Sequence, residues 1–496
     1  MRRWLLAAGG TWSTECSIGF AGGVENGLFA AADFREGELL LSVPAHLLLT
    51  AGIADERGWP DELPEEDKIA LLLLVECDGR GSESKWHPWT IDGVPALFDL
   101  PMTWEDADAR ELRCPSLIES VSAQRDAIAA RYDDVVAAVR NLSTTHALHR
   151  LLIGESEHHR RSAWRRYLWA VSALQSRGVH LNDESLHAEE WALVPVGDLF
   201  NHASADRANA IAQYDVTKQA YCYHATRAVG KGEELFLCYG PRDDSTLLQS
   251  YGFVLPGNPH ARVLVQPPQC SADAAEAAGD TDAGECDSGC VLLTEADLEW
   301  LAEHGLDAEH AFDVGGPSWT LLAALRLKHA SPSERAAGAA FAIVEGEPVS
   351  ARAELEAWQE ARRMIRKRLD GSHSDLEELR AELKQAEAAE AAEAAEKGVA
   401  GASAAVAAAA AANGTGGETV RSRRRLLTVR WLVAQGSLLQ RALEATKTRL
   451  ADLHAEATAR DGVSGQGDTG RSGGGASSGA GSSSDGDRRK RARRSG

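Results

Sequence analysis

Strand-like patterning comes in two blocks, residues 27–44 and 193–239, separated by a long stretch of helical pattern. Strands, then helices, then strands is the order produced by a β domain with a helical insertion inside it. In the first block, residues 27–31 lead through the charged turn Arg35-Glu36-Gly37-Glu38 into the apolar run 39–43, which Pro44 ends. Two apolar runs around such a turn predict a β-hairpin. In the middle stretch, residues 68–76 are strongly apolar. Residues 116–142 place Leu117, Val121, Ile128, Tyr132, Val135, Val136 and Val139 at helical spacing, and residues 164–175 repeat that pattern. A short apolar helix is expected over 4–8. Strand-like pieces return at 193–195, 220–226 and 234–239.

The expected organisation is an N-terminal part of the β domain over 1–60, a helical insertion with a connecting helix over 61–192, and the rest of the β core over 193–265. An irregular linker, 266–290, follows. Helices dominate 291–460, with long amphipathic stretches at 351–369 and 426–453. Within that region residues 387–417 are Ala/Glu repeats and then Ala/Gly runs, which cannot build a core and read as an insertion between two helices. The tail 461–496 is Gly/Ser-rich, expected to be disordered, and ends in the basic run Arg488-Arg489-Lys490-Arg491-Ala492-Arg493-Arg494. Such a run serves as a nuclear-localisation signal or a polyanion contact, or is simply a solvated charge run.

The formal net charge of −22 disfavours nucleic acid and anionic membranes as partners and suits basic, lysine-bearing ones. No apolar run approaches the ~18 residues that span a bilayer, so a soluble chain is expected. The first ten residues lack a full signal-peptide pattern, and no long transit peptide precedes the folded pattern. The eight cysteines are scattered, as reduced thiols in a cytosolic or nuclear protein are. Cys286 and Cys290 read as thiols of a loop, and His158-His159 as an exposed polar turn, so no metal site is expected. Residues 19–27 are Gly-rich but contain no GxGxxG, and no phosphate-binding P-loop is present.

Three segments carry the chemistry: Asp198-Leu199-Phe200-Asn201-His202, Gly232-Glu233-Glu234-Leu235-Phe236-Leu237-Cys238-Tyr239-Gly240, and Leu247-Leu248-Gln249-Ser250-Tyr251-Gly252-Phe253. Singly, each reads as a turn, a hairpin element or a packed strand end. In this order and spacing they resemble the core of SET-domain protein methyltransferases. The resemblance extends to Gly27-Leu28-Phe29-Ala30 and to the helix ending Gln175-Ser176-Arg177. It also takes in the Lys85-Trp86-His87-Pro88-Trp89 insert. These point to the Rubisco large-subunit methyltransferase-like branch, which includes the actin-histidine methyltransferase. The match is good over about 1–265 and rests on helical character alone over 290–460. It implies an α+β fold: a SET β core with a knot-like crossing and a helical insertion, followed by an all-α substrate-binding domain.

It also implies S-adenosylmethionine as cofactor and transfer of its methyl group to a lysine of a non-histone protein. By this resemblance Asn26, Gly27 and Leu28 cradle the amino-acid and ribose end of the donor. Asp198, Asn201 and His202 line its pocket, with the last two meeting the adenine through their backbones. Tyr239 faces the transferring methyl, Tyr251 walls the substrate channel, and Ser176, Arg177 and Val179 line it. The run Gly22-Gly23-Val24-Glu25-Asn26-Gly27 departs from the family's Glu-Gly-x-Gly, with Val24 where an acidic residue is usual.

Methyl transfer to an amine is an in-line displacement, so the protein must hold nucleophile and methyl about 3–3.5 Å apart. A lysine starts near pKa ~10.4 and must lose its proton. An aromatic channel lowers that value by desolvation, whereas a carboxylate there would keep the proton on. The histidine-modifying relative reads its target with an Asn two residues after the Thr-Arg pair and lacks a tyrosine before its Gly-Phe. Here those places hold Val179 and Tyr251, which favours lysine. The alternatives are histidine methylation and a SET scaffold that binds a partner with little catalysis. A monomer in the cytoplasm, the nucleus or both is expected, ahead of the chloroplast.

Overall fold

The computed structural model describes residues 1–13, 15–21, 25–79, 81–183, 188–265, 285–286, 290–291, 293–370, 373–400 and 416–464. The segment Gly22-Gly23-Val24, most of the linker 266–290, residues 401–415 of the low-complexity stretch and the tail from 465 lie outside the described residues.

The first block of strands is β1 (Thr11–Trp12), β2 (Cys16–Ala21), β3 (Glu25–Ala30), β4 (Leu39–Pro44) and β5 (Leu49–Thr50), preceded by helix α1 (Arg2–Ala7). The expected hairpin between residues 27–31 and 39–44 does not form. Instead β3 pairs antiparallel with β2, Gly19 opposite Gly27, and β4 lies between β1 and β10 (Ala220–Ala225) in a four-stranded sheet completed by β9 (Ala210–Asp215). The reason lies in β4 itself. Its four central residues are all buried, so both of its edges need partners, and a flanking hairpin supplies only one. The charged turn bonds across the fold instead: Gly37 N–H donates to Ala225 O and Phe34 N–H to Val229 O.

The insertion is helical, as its periodicity predicts. Helix α2 (Ala51–Glu56) leads to α3 (Glu65–Leu74), whose first turn carries Glu65, Glu66 and Asp67, favourable at a helix N-terminus. Leu71 to Leu74 are all buried, so the C-terminal half of this helix is apolar on every side and lies at the centre of its own core. Around it pack α4 (His87–Asp92), α6 (Pro115–Arg140), α7 (Ala147–Leu152) and α8 (Glu157–Arg177), with α5 (Asp106–Arg110) beside them. Residues 178–192, expected within the helical stretch, instead join Leu193 in an antiparallel hairpin, β6 (Gly178–Asp183) and β7 (Ala188–Leu193), with β7 also pairing β5. The hairpin thus carries the chain from the insertion back to the strand core.

The remaining site elements are β8 (Asn201–His202), β11 (Phe236–Leu237) and α9 (Asp244–Tyr251). Beyond them β12 (Val263–Leu264), β15 (Ala311–Asp313) and β16 (Gly316–Pro317) make a small sheet at the base of the C-terminal helices; β13 (Glu285–Cys286) and β14 (Cys290–Val291) pair with each other. The helices are α10 (Glu295–Glu303), α11 (Trp319–His329), α12 (Pro332–Ala336), α13 (Ala339–Val344), α14 (Ala351–Asp370), α15 (His373–Ala400) and α16 (Gly416–Ser464). Helix α16 reaches back to the insertion. Leu427 and Trp431 join Trp104, Leu112, Leu117, Val121 and Leu248 in one buried cluster, and Arg424 is ion-paired to Asp99 and Asp108 at 2.9 and 2.8 Å. Among the described residues no helix is long and apolar enough to cross a membrane, and no group of three His, Cys, Asp or Glu could hold a metal ion.

Candidate active site

The site is built where two stretches distant in sequence lie side by side. Strands β8 and β11 pair in parallel, Asn201 beside Phe236 and His202 beside Leu237. Ala203 N–H donates to Leu237 O at 2.9 Å. This register turns both main-chain groups of Asn201 toward β11. Alternation along a strand then turns the N–H and C=O of His202 to the opposite edge.

Two side-chain devices and one main-chain bond lock the pair. Asn209 donates to Glu234 O at 2.8 Å and accepts from Phe236 N–H at 2.7 Å, holding the start of β11. Asn201 Nδ2 donates to Glu234 Oε1 at 2.7 Å and reaches Asn26 O at 3.5 Å, which draws β3 onto the crossing. Leu235 N–H donates to Leu28 O at 2.7 Å, while the Leu28 side chain is buried in the strand core. Gly27 sits where these groups converge. A Cβ there would come within 2.5 Å of Glu234 Oε1 and 2.9 Å of Asn201 Nδ2, so only a glycine backbone fits.

Tyr239 is held at both ends. Its N–H donates to His202 Nδ1 at 3.0 Å, and its hydroxyl donates to Phe200 O at 2.6 Å. Its ring centroid lies 5.1 Å from that of His202 and 5.1 Å from that of Tyr251. Phe253 closes the other side of His202 at 5.8 Å. Accepting at Nδ1 requires a neutral His202 ring, and burial, with a smaller contribution from His260, holds its pKa below the usual 6.5. Burial likewise raises the Tyr251 phenol, keeping it protonated at neutral pH. Tyr251 ends α9, where Gly252 adopts a left-handed conformation (φ +77°) that stops the helix and turns Phe253 back toward His202.

The approach to β8 carries strain. Val196, buried and β-branched, has φ +71°, a conformation held only where surrounding packing enforces it. It directs Asp198 inward. The Asp198 carboxylate meets Arg177 at 2.9 Å and accepts from the Trp89 indole N–H at 3.1 Å, and Arg177 also donates to Asp198 O at 2.9 Å. Complete burial pushes the Asp198 carboxyl up, and the Arg177 charge opposes that shift.

The structure therefore brings Asn26, Gly27, Leu28, Asn201, His202, Tyr239 and Tyr251 into one constellation. Half-buried Arg177 and the buried Asp198 carboxylate form a pair immediately before it. Ser176 turns its hydroxyl back to Ser172 O at 2.8 Å, and Val179 sits on β6 against the strand core, offering no polar group. Sequence reasoning missed Glu234, Trp89 and Phe253. Each stands within or beside a segment the sequence singled out, but a turn glutamate, an insert tryptophan and a Gly-Phe carry no role until their partners are seen.

A model of the SET domain matches residues 25–240, which contain every group named above except α9, Gly252, Phe253 and His260. The chain carries a SET domain. Residues 294–411 match the Rubisco LSMT substrate-binding model, so the SET domain is followed by the helical region that accompanies it in that branch. The mouse SET domain-containing protein 4 is 29% identical over 326 residues, covering 62% of this chain and 66% of the relative. The human actin-histidine N-methyltransferase is 26% identical over 247 residues, 48% of this chain and 39% of the relative. The chain thus spans less than two thirds of either protein. Among solved structures, the SET domain of LSMT bound to lysine and AdoHcy superposes with a TM-score of 0.57 at 18% identity, covering 91% of each chain. Rubisco LSMT bound to AdoMet gives 0.55 at 18% identity, again over 91% of each. The fold is that of this branch: an α+β SET core followed by a helical C-terminal region.

Proposed function

We propose that this chain is an S-adenosylmethionine-dependent protein-lysine N-methyltransferase acting on a non-histone protein. The observation that carries it is the setting of Tyr239, fixed by His202 through its N–H and by Phe200 through its hydroxyl, with its ring against Tyr251.

The residues present fit the donor. Gly27 leaves a bare backbone beside Glu234 and Asn201, and the outward edge of β8 presents the N–H and C=O of His202 for a purine. Asn26, Gly27, Leu28, Asn201 and His202 would hold the donor, whose sulfonium supplies an electrophilic methyl when bound. The chain's own task is positioning. Tyr239 and Tyr251 wall the target's path with aromatic faces and hydroxyls, which strip water from an ammonium and place no fixed negative charge beside it. The Asp198–Arg177 pair neutralises itself internally, so no free carboxylate from it faces the amine.

Two features support lysine as the target. Val179 has no hydrogen-bonding side chain with which to read an imidazole, and Tyr251 narrows the path. The similarity to the actin-histidine N-methyltransferase keeps histidine as the second reading. Mass spectrometry of proteins labelled in a cell extract by purified enzyme decides between them. Methyl on lysine supports the proposal; methyl only on histidine replaces it with the second reading.

The neutral His202 ring has a pH consequence. A histidine with a depressed pKa keeps its contribution above about 6.5 and loses it as pH falls through the lower folded value. Donor affinity by calorimetry should therefore be flat above that value and weaken in acid. Since donor binding does not require the target amine, an unchanged affinity in acid would show that the Tyr239–His202 bond does not shape the pocket.

We place the protein in the cytoplasm and nucleus. Deleting residues 461–496 should leave methyl transfer unchanged and reduce nuclear fluorescence of a tagged chain. Loss of transfer in that truncation would show that the tail takes part in the chemistry.

A further inference from the structure

Three glutamines on three different helices form a closed circuit behind the aromatic wall. Gln124 of α6 donates from Nε2 to Gln175 Oε1 at 2.9 Å. Gln175 of α8 donates from Nε2 to the main-chain carbonyl of Gln249 at 3.1 Å. Gln249 of α9 donates from Nε2 to Gln124 Oε1 at 3.1 Å. Ser120, one turn before Gln124, adds a bond to Gln249 Oε1 at 3.1 Å. Gln124 and Gln175 each use an amide donor and an amide acceptor in the ring, and Gln249 closes it with its amide donor and its main-chain carbonyl, so the amide orientations are interdependent. The Gln249 main-chain oxygen can only accept, which fixes Gln175 Nε2 as donor and, through it, the sense of the other two amides.

The circuit's position gives it a role. Gln249 O lies in the last turn of α9, where carbonyls lack partners within the helix, and α8 supplies one. Gln175 directly precedes Ser176 and Arg177, and Gln249 is two residues before Tyr251. The circuit thus ties the end of the helix carrying Arg177 to the end of the helix carrying Tyr251. Gln124 anchors both to the insertion, so a displacement of any one helix must break amide bonds on the other two. The polar tie also differs from the packing around it, where α9 buries Leu247 and Leu248. Apolar contacts of that kind hold two helices together but tolerate sliding, whereas directed amide bonds hold one spacing.

We infer that Gln124, Gln175 and Gln249 are positioning residues that set the spacing between Tyr251 and the Ser176–Arg177 end of the channel, and so decide how many methyl groups the target amine accepts. This rests on the methyltransferase reading above. An amine that already bears methyl groups needs more room beside the aromatic wall, so a wall that can retreat changes the product as well as the rate.

The test compares wild type with Gln124→Met and Gln175→Leu on a library of lysine-centred peptides, with mass spectrometry of the products and a separate titration of S-adenosylmethionine. Gln124→Met removes two of the ring's bonds at a half-buried place and keeps the volume; Gln175→Leu removes the tie to Gln249 O. In both variants the proportions of mono-, di- and trimethyl product should differ from wild type. The KM for peptide should rise by about tenfold, equivalent to about 1.4 kcal/mol, with donor affinity unchanged. Unchanged donor affinity shows that the variants are folded. A variant with wild-type product proportions and wild-type peptide KM overturns the inference. A general loss of activity with unaltered proportions does so too, because that is what a merely structural role gives. Wild-type enzyme that binds donor and methylates no peptide or protein overturns the methyltransferase reading itself, and the inference with it.

Discussion

Replacing Tyr239 with phenylalanine should lower methyl transfer by about a hundredfold or more, the range seen when one oriented polar group is removed from a reacting centre. The substitution keeps the ring and therefore its contacts with His202 and Tyr251, both at 5.1 Å. It also keeps the main-chain bond to His202. What it removes is the hydroxyl that donates to Phe200 O at 2.6 Å, which fixes the ring's tilt and, in the proposed function, supplies an oxygen beside the reacting atoms. The stability cost is that of one partly buried hydrogen bond, about 1 kcal/mol. Thermal unfolding should therefore be nearly unchanged while single-turnover transfer collapses. Full transfer in the variant would remove the Tyr239 hydroxyl from the chemistry.

Gly27→Val should have the next largest effect, and on a different quantity. The added Cβ would press on Glu234 Oε1 at 2.5 Å and Asn201 Nδ2 at 2.9 Å. These two atoms are bonded to each other, so neither moves without breaking the tie that holds β3 to the crossing. Crowding of this kind costs about 1–3 kcal/mol, which in affinity is roughly 5- to 150-fold. The loss should fall on donor binding, with secondary structure by circular dichroism unaltered because β2 and β3 retain their antiparallel pairing. Wild-type donor affinity in Gly27→Val would place the donor away from β3.

How much of this was legible in the sequence follows from how local each signal is. The three chemistry-bearing segments were readable because a few residues at fixed spacing are enough to mark them. The helices α6, α8 and α14 were readable because their burial follows the helical period, and α3 because of its unbroken apolar run. Strand pairing was not. Leu39 to Val43 shows the apolar run of a buried strand, but nothing in it says that its neighbour is Tyr221 to Tyr223 rather than residues 27–31. The choice is made by burial of both edges of the strand, a property of the assembled sheet. The hairpin at 178–193 was missed because the clear pattern before it is helical and the strand pairing appears only once β7 meets β5. In the site, Glu234 and Trp89 were passed over for the same reason: a carboxylate in a Gly-Glu turn becomes informative only when Asn201 is seen donating to it, and an indole only when Asp198 is seen accepting from its N–H. The glutamine circuit was not legible, although Gln175 and Gln249 stand in segments the sequence singled out, since Gln124, Gln175 and Gln249 sit on half-buried helix faces where a polar residue is ordinary.

The central claim is that the stretches around Asn201 and Tyr239 together form a single donor-binding cleft beside Gly27. Calorimetric titration of S-adenosylmethionine into the purified full chain tests it most directly, with Gly27→Val as the partner measurement. The expected result is saturable binding at a single site in the wild type and strongly weakened binding in the variant. No saturable binding to a wild-type chain shown to be folded would contradict the claim.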